Sequence, residues 1–413
     1  MRVALVLCPA WSIEMPHLAT AILSACLRRN EHKVFTFDLN SVFYHSCIKD
    51  YKVKWSKEQD LFWTYTDFIT EFVSENEEII NHAVKEILAT EAQIIGFSVY
   101  YPNELMSLEL ARRIKKMDKH RVIVFGGFQC AREVKGKRLI KEEAVDIVVM
   151  GEGEQTLSEL VIKFEENGSI DFCKGILLKK NDDVIDCSDR EPIIDLDNLP
   201  FPDFTDFSLS LYKQPHSLPL LFSRGCFQRC VYCTVNSFWK RYRSMSADRM
   251  FQEIKHLLSN FNNKVTNFHL YDPLLNGNIK ELSKFCDLII DNVDKEIITP
   301  IRWRGLALIR PEMTSGLLEK MKKAGCDYLS YGMETGSQNV IDKMKKNFKI
   351  TDAERVIQHT YDVGIFVGLH FMFGFPGETE EDFDKTLDFL KRNREYIYEV
   401  VPSESFCYIA EGT

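Results

Sequence analysis

Short, nearly all-apolar runs alternate with helical patterns along this chain. Val3–Leu7, Val34–Phe37, Ile94–Val99, Val122–Phe125 and Ile147–Met150 have strand length and carry no charge. Between them the apolar residues fall at helical spacing, as Leu18, Ile22, Ala25 and Cys26 do within His17–Arg29, and as those of Leu105–Met117 and the stretch ending at Phe164 do. A strand that is apolar on both sides must be covered on both faces, and strand–helix alternation brings successive strands back in parallel. Residues 1–170 therefore predict an α/β fold, a Rossmann-like doubly wound parallel sheet. Residues 57–90 interrupt the alternation with an acidic, aromatic stretch. Its Leu61, Tyr65, Phe68 and Phe72 stand at helical spacing and read as a core stripe.

Residues 171–217 read as a hairpin and linker. Gly175–Lys179, a turn at Asn181-Asp182-Asp183 and Val184-Ile185 form the hairpin. Four prolines (192, 200, 202 and 215) and several aspartates then mark a linker, whose Ile193, Leu196, Leu199 and Phe201 are expected to pack on a surface. From 218 the alternation resumes. Strands are expected at 218–223, 266–271, 301–306, 327–333 and 365–373, with a sixth near 403–409. Helices are expected around 246–260, 278–291, 314–324, 338–361 and 378–394. Thr314 marks one helix start, and Thr379 with Asp382 forms a near capping box after Pro376-Gly377. Six such units predict a partial (β/α)6 TIM-type barrel over 218–413.

Composition excludes several classes. A net charge of −9 argues against a general nucleic-acid binder. Twelve cysteines in 413 residues are too sparse for a disulfide scaffold. Met1-Arg2 leads into a short apolar run ending at Pro9, which is not a secretory signal. The longest apolar stretch, Val363–Phe375, is too short to span a bilayer. These features suggest a reducing, cytoplasmic setting. The basic run Lys240, Arg241, Arg243 reads as a solvated approach to a helix or as an anion contact.

Chemistry in both folds belongs at the carboxyl ends of the strands. In the first half those ends carry Ser98, Tyr100, Gly126-Gly127 and Gly151-Glu152-Gly153-Glu154. Glycine lets a backbone approach a ligand closely, yet tight strand-to-helix turns need it equally. Thr156 stands where a dinucleotide fingerprint needs its third glycine, so a nicotinamide site is not indicated. In the second half, Cys226, Cys230 and Cys233 follow the first strand at C-x3-C-x2-C spacing. Three thiolates suit an iron–sulfur cubane with one iron left open, a zinc site completed from elsewhere, or plain burial. Asp272, Arg304, Glu334 and His370 are polar residues on later strands or at their ends. Each has a bland alternative: a turn carboxylate, a structural ion pair or a satisfied core histidine.

With these residues in place, residues 218–409 resemble the core of the radical S-adenosylmethionine (SAM) superfamily. The cysteine loop, Trp303-Arg304-Gly305, the run Gly332-Met333-Glu334-Thr335-Gly336-Ser337 and the turn Gly374-Phe375-Pro376-Gly377-Glu378-Thr379 match its motifs in order. Residues 1–170 resemble the amino-terminal cobalamin-binding domain of one large class of these enzymes. The resemblance implies a [4Fe-4S] cluster on Cys226, Cys230 and Cys233, with SAM on the open iron. It also implies a 5′-deoxyadenosyl radical that takes a hydrogen atom from substrate. Tyr232 is expected to position the adenine, chiefly through its backbone. Glu334 and Arg304 are expected to contact the methionine or ribose, with Ser337 assisting. Asp272 and His370 are expected to adjoin the same pocket. Ser98, Tyr100, Gly126, Gly127, Gly151 and Gly153 are the expected cobalamin contacts.

The implied reaction is cobalamin-dependent methylation of an unactivated carbon. Radical cyclisation or rearrangement is the alternative, and a non-catalytic cobalamin- or cluster-binding regulator the contrasting class. Implied partners are a small-molecule or peptide substrate and an electron donor such as flavodoxin or ferredoxin. Two departures stand out. No Asp-x-His-x-x-Gly supplies a histidine to cobalt, since His17 and His32 lack that context. The sequence ends at Thr413, whereas relatives often continue with a segment that helps close the site.

Overall fold

Seven strands form one sheet: β1 (Arg2–Leu7), β2 (Lys33–Asp38), β3 (Ile94–Ser98), β4 (Val122–Gly126), β5 (Ile147–Val149), β6 (Ile176–Lys180) and β7 (Asp183–Asp186). Their order is β2-β1-β3-β4-β5-β6-β7, parallel through β5 and antiparallel from β5 to β7. The computed structural model describes residues 1–131, 135–168, 170, 172–180 and 183–402. It divides into two units: residues 1–193 with 199–215, and residues 194–198 with 216 onward.

The side-chain alternation of the first sheet follows from the strand period of two. Ala4, Val6, Ile95, Phe97, Ile123, Phe125 and Val148 join one apolar cluster. Their neighbours Val3, Leu5, Ile94, Val124, Ile147 and Val149 join a second. The hairpin expected at 175–185 is present but does not stand alone: β6 pairs with β5 and extends the sheet. Residues 181–182 of its expected turn lie outside the described residues.

The stretch 57–90 differs from the reading of one continuous stripe. Short 3-10 turns at Val53–Trp55 and Asp60–Thr64 precede helices at Thr66–Glu75 and Glu77–Ala89. Trp55, Trp63 and Phe72 pack inward with Phe43, whereas Leu61 and Tyr65 are 45% and 55% exposed. Both precede the helix, and the indole of Trp63 takes the inward position by donating to the Lys54 carbonyl at 2.9 Å. The proline-rich segment is also tied down. Phe204 is buried, Arg28 pairs with Asp203 and Asp206, and the Tyr212 hydroxyl donates to the Asp38 carboxylate.

In the second unit, β8 (Ser217–Leu220) is followed by a two-stranded antiparallel clasp, β9 (Ser223–Arg224) with β10 (Arg243–Ser244). The main sheet continues with β11 (Asn267–Leu270), β12 (Arg302–Ala307), β13 (Cys326–Glu334), β14 (Phe366–Phe371) and β15 (Glu399–Pro402). Six strands run parallel in the order β15-β14-β13-β12-β11-β8. The sixth lies just before the expected 403–409, which is outside the described residues. Helices at Ala247–Asn260, Ile279–Asp294, Ser315–Lys323, Ile350–Asp362 and Glu380–Asn393 alternate with the strands. The capping box at Thr379 and Asp382 is complete. The expected helix 338–361 is two helices, Gln338–Lys343 and Ile350–Asp362, broken where Lys345 turns left-handed at φ 57°.

One face of this sheet packs on helices. Phe268, Trp303, Leu329 and Val367 are buried; Trp303 meets Phe285 at 6.1 Å and donates its indole N–H to the Ala324 carbonyl at 2.9 Å. The opposite, inner face carries His269, Arg304, Tyr328 and Phe366, aligned in one register row. Among the described residues, no helix is long and apolar enough to cross a membrane.

Candidate active site

The cysteine loop is held at its two ends by the β9–β10 clasp. Gly225 begins it at φ 76°, where a side chain would strike the Arg241 carbonyl. Asn236 Nδ2 donates to the Gln228 carbonyl at 2.7 Å, and the Cys233 amide donates to the Cys230 carbonyl at 3.1 Å. Cys226, Cys230 and Cys233 are all half-buried. Burial raises the thiol pKa of Cys226 and Cys230 above the ordinary range. The Gln228 amide points at Cys226 Sγ from 3.4 Å, as a donor to a thiolate would. Thiolates on a single zinc, each about 2.3 Å from it, crowd within about 4 Å of one another. A cubane takes each thiolate at a different iron, and three thiols on one loop can supply three of its four.

Beside the loop stands a residue that the sequence reading passed over. Lys346 is 6% exposed and directs its ammonium to three acceptors. These are the Gly332 carbonyl at 2.6 Å, Glu334 Oε1 at 2.9 Å and the Tyr232 hydroxyl at 3.4 Å. An ammonium has three protons, so the set is complete. Glu334 ends β13 with φ 66°, beyond an irregularity in the β13–β14 register. Such a backbone is uncommon for a non-glycine residue and persists where its surroundings hold it. The Met372 amide bonding to the Glu334 carbonyl at 2.9 Å and the Lys346 ion pair supply that hold. Cys230 lies within electrostatic reach of Lys346, Cys226, Cys233 and Glu334, so loop and strand end share one neighbourhood. The signal that could have found Lys346 is the Lys345-Lys346-Asn347 run, a polar interruption in an otherwise helical pattern.

The other expected residues separate. Tyr232 joins Lys346 and Glu334 through its phenol, whose pKa burial drives far up, where a backbone role was expected. His370 is half-buried on β14, paired in register with Gly332, one step below Glu334. Asp272 is 1% exposed and accepts from the Phe222 amide at 3.3 Å. It lies beneath the approach to the cysteine loop and positions it; burial pushes its pKa up to about 6. Ser337 is fully buried and donates to Asp382 at 2.5 Å, so it anchors the Glu380–Asn393 helix start. Arg304 is not at the carboxyl end. It pairs with Tyr328, which in turn pairs with Phe366, whereas Glu334 pairs with Phe371. Five residues along β14 separate those levels, about 16 Å. Arg243, expected to be a solvated approach or an anion contact, is buried and donates to the Trp239 carbonyl at 3.1 Å.

In the first unit the strand order β2-β1-β3-β4-β5 places a topological switch point between β1 and β3, where such sheets bind ligands. Trp11 after β1 and Tyr100 after β3 meet there, ring centroids 4.2 Å apart. His17 packs edge-on to both. Its Nε2 is 3.0 Å from the Tyr100 hydroxyl and its Nδ1 2.6 Å from Thr20 Oγ1, so both ring nitrogens are engaged. Burial pushes its pKa down to about 3 and keeps it neutral. Ser98 offers its carbonyl to Asn103 Nδ2 at 3.1 Å. Gly127 has φ 108°, and a Cβ there would lie 2.7 Å from the Val99 carbonyl, so this glycine is required by the turn itself. Gly126 sits in β4 and accepts from the Val99 amide. Gly151 faces open space after β5, and Gly153 starts the following helix against Leu23. Trp11 and His17 were not among the expected contacts; no local motif marks them.

Comparison with known proteins agrees with this arrangement. Residues 220–390 match the Radical SAM superfamily. The anaerobic magnesium-protoporphyrin IX monomethyl ester cyclase of Cereibacter sphaeroides is 24% identical over 334 residues, covering 78% of this chain and 52% of the cyclase. The cytidylyl-2-hydroxyethylphosphonate methyltransferase of Streptomyces wedmorensis is 22% identical over 339 residues, 72% of this chain and 61% of that protein. The cobalamin-dependent SAM radical enzyme OxsB, solved with aqua-cobalamin and SAM bound, superposes with a TM-score of 0.75 at 18% identity. That match covers 98% of this chain and 54% of OxsB. The chain thus spans about half the length of the relatives it matches first. The α/β fold, with one mixed and one parallel sheet, is that of the cobalamin-dependent radical SAM enzymes. On its cysteine loop, its second sheet and this match, residues 220–390 form a radical SAM domain.

Proposed function

We propose that this chain is a radical SAM enzyme that binds cobalamin in its first unit and methylates an unactivated carbon. The observation that carries the reading is the meeting of the three-cysteine loop with Lys346 and Glu334 at the carboxyl end of β13. Cys226, Cys230 and Cys233 would hold a [4Fe-4S] cluster. Bound there, a cluster reduced by an electron donor would supply the electron for cleavage of SAM to methionine and a 5′-deoxyadenosyl radical, and cobalamin would supply a transferable methyl group. The protein's share is orientation and shielding. A carboxylate has more acceptor positions than one ammonium fills, so Glu334, with one oxygen on Lys346, can still receive an N–H or O–H of SAM. Lys346 and Tyr232 fix that carboxylate and tie it to the cysteine loop. Asp272 positions the loop from below.

For cobalamin, Trp11 and Tyr100 offer an aromatic surface at the switch point, and Gly151 adds an open backbone turn after β5, two strands along. His17 is a positioning residue for Tyr100 and not a cobalt ligand, because both its nitrogens are engaged. The sequence similarity to a cyclase supports a second reading, radical ring closure. An electron donor such as flavodoxin or ferredoxin would serve either. The test is anaerobic expression with added cobalamin, followed by cobalt and iron analysis and incubation of the reduced protein with SAM. Cobalt near one per chain and formation of 5′-deoxyadenosine support the proposal. An intact cluster with no cobalt shifts it to ring closure without cobalamin, and no SAM cleavage by well-reduced protein turns it to a regulator.

A further inference from the structure

The inner face of the second sheet carries side chains that the cluster chemistry leaves unused. Partners in a parallel register share a face, so His269, Arg304, Tyr328 and Phe366 form one row across β11, β12, β13 and β14. Arg302 stands two residues before Arg304 and therefore on the same face. Both arginines are exposed, while Trp303 between them is buried against the helices. The Arg304 guanidinium lies over the Tyr328 ring, 5.7 Å from its centroid. Its ion pair with Asp327 is loose, 3.8 Å from Nε. Arg302 makes no ion pair among the described residues. Farther along, the rings of Phe366 and Tyr398 meet with centroids 4.6 Å apart, tilted by 46°, and are 54% and 66% exposed. The Ser330 hydroxyl, on the same face, is buried and makes no well-formed hydrogen bond.

Two forked cations beside an exposed aromatic ledge are more than a solubilising surface requires. Guanidinium groups bind carboxylate and phosphoryl oxygens in a bidentate manner. An aromatic ledge covers an apolar body.

We propose that this inner face is the substrate floor of the domain. It takes the oxyanion of a substrate, a carboxylate or phosphoryl group, on Arg302 and Arg304, and lays the apolar body along Tyr328, Phe366 and Tyr398. This rests on the radical SAM reading for its meaning as a substrate site. It also sets a size. The floor lies about 16 Å below Glu334, so only a substrate with a body of about that length reaches both ends. Arg304 is thereby assigned to substrate and not to SAM.

The test uses the full chain with its cluster reconstituted and no reductant, titrated by fluorescence with three probes: naphthaleneacetate, naphthyl phosphate and the neutral naphthaleneacetamide. At least one anion is expected to bind about tenfold or more tightly than the amide, and the better of the two names the oxyanion. The double variant Arg302→Gln/Arg304→Gln is expected to erase that preference, and Arg302→Lys/Arg304→Lys to keep part of it. Equal binding of all three probes, no binding of any, or a preference that survives the glutamine variant overturns the proposal. Separately, 5′-deoxyadenosine formation by the reduced parent protein reports on the radical reading. Cleavage without anion preference sinks the floor alone; anion preference without cleavage sinks the radical reading and leaves an anion-binding face.

Discussion

In the first sheet, alternate residues of the central strands enter two separate apolar clusters, one on each face. In the second, the helix-facing residues Phe268, Trp303, Leu329 and Val367 are as deeply buried, but the other face presents His269, Arg304, Tyr328 and a left-handed glutamate. The same strand–helix unit thus serves two ends. A sheet covered on both faces gains hydrophobic burial from each, roughly 25 cal/mol per Å² removed from water. A sheet with a polar inner face forgoes half of that gain and keeps groups that can bind. In the first sheet the candidate chemistry is confined to loops after the strands, at Trp11, Tyr100 and Gly151. In the second it runs down the strands themselves, from Glu334 to Arg302.

The comparison can be broken most severely at the cysteine loop. Cys230→Ala is expected to abolish cluster assembly; about four irons per chain with an unchanged absorption spectrum would remove the loop from the site. Next comes the cost of burial. Phe125→Ala, in the doubly covered sheet, should lower stability by about 3–5 kcal/mol, and Arg302→Ala on the open face by no more than about 0.5 kcal/mol. Denaturant unfolding of both variants decides it, and similar losses would mean that the inner face is packed after all.

Lys346→Met leaves the Glu334 carboxylate half-enclosed without its partner. SAM affinity should fall about tenfold or more, about 1.4 kcal/mol. Equilibrium dialysis measures it, with iron content reporting whether the loop still loads. Unchanged affinity would make the pair structural only.

The smallest effect expected is one of slope. His17 is held neutral, with its pKa pushed down to about 3 by burial. Its contribution is complete above the ordinary histidine value near 6.5 and is lost as pH falls toward 3. In the second unit burial pushes Glu253 up to about 7 and Asp272 up to about 6. Their contribution is present below the ordinary carboxylate range near 4 and is lost as pH rises through 6 to 7. Between pH 4 and 7 the surroundings of His17 should gain protection and those of Glu253 and Asp272 lose it. Hydrogen exchange corrected for intrinsic rates would show this, and slopes of the same sign around His17 and around Glu253 would defeat it.

Much of this was legible before any coordinates. Apolar runs such as Val3–Leu7 and Ile94–Val99 can only be buried strands, so the first sheet was readable from its pattern. Thr379 and Asp382 announced their helix start, and three cysteines at short spacing announced a ligand loop, because caps and chelating loops are local. Lys346 was hidden for the opposite reason. Gln338–Asp362 has one helical periodicity, and the polar run Lys345-Lys346-Asn347 that interrupts it does not say that the chain breaks there to turn Lys346 inward. Ser337 and Asp272 looked like ligands because they are polar and near strand ends, yet each satisfies a buried neighbour.

By itself the sequence determined the kind of layers, the loop that carries three thiols and the superfamily that this loop and its companions mark. Only the tertiary structure decided which strand-borne charges share a neighbourhood. It brought Lys346 and Tyr232 to Glu334 and set Arg304 about 16 Å away along the sheet. The reason is register: a strand's composition says that it pairs, but the level at which each residue meets its neighbours depends on how far the adjoining strand has been carried by the helix between them.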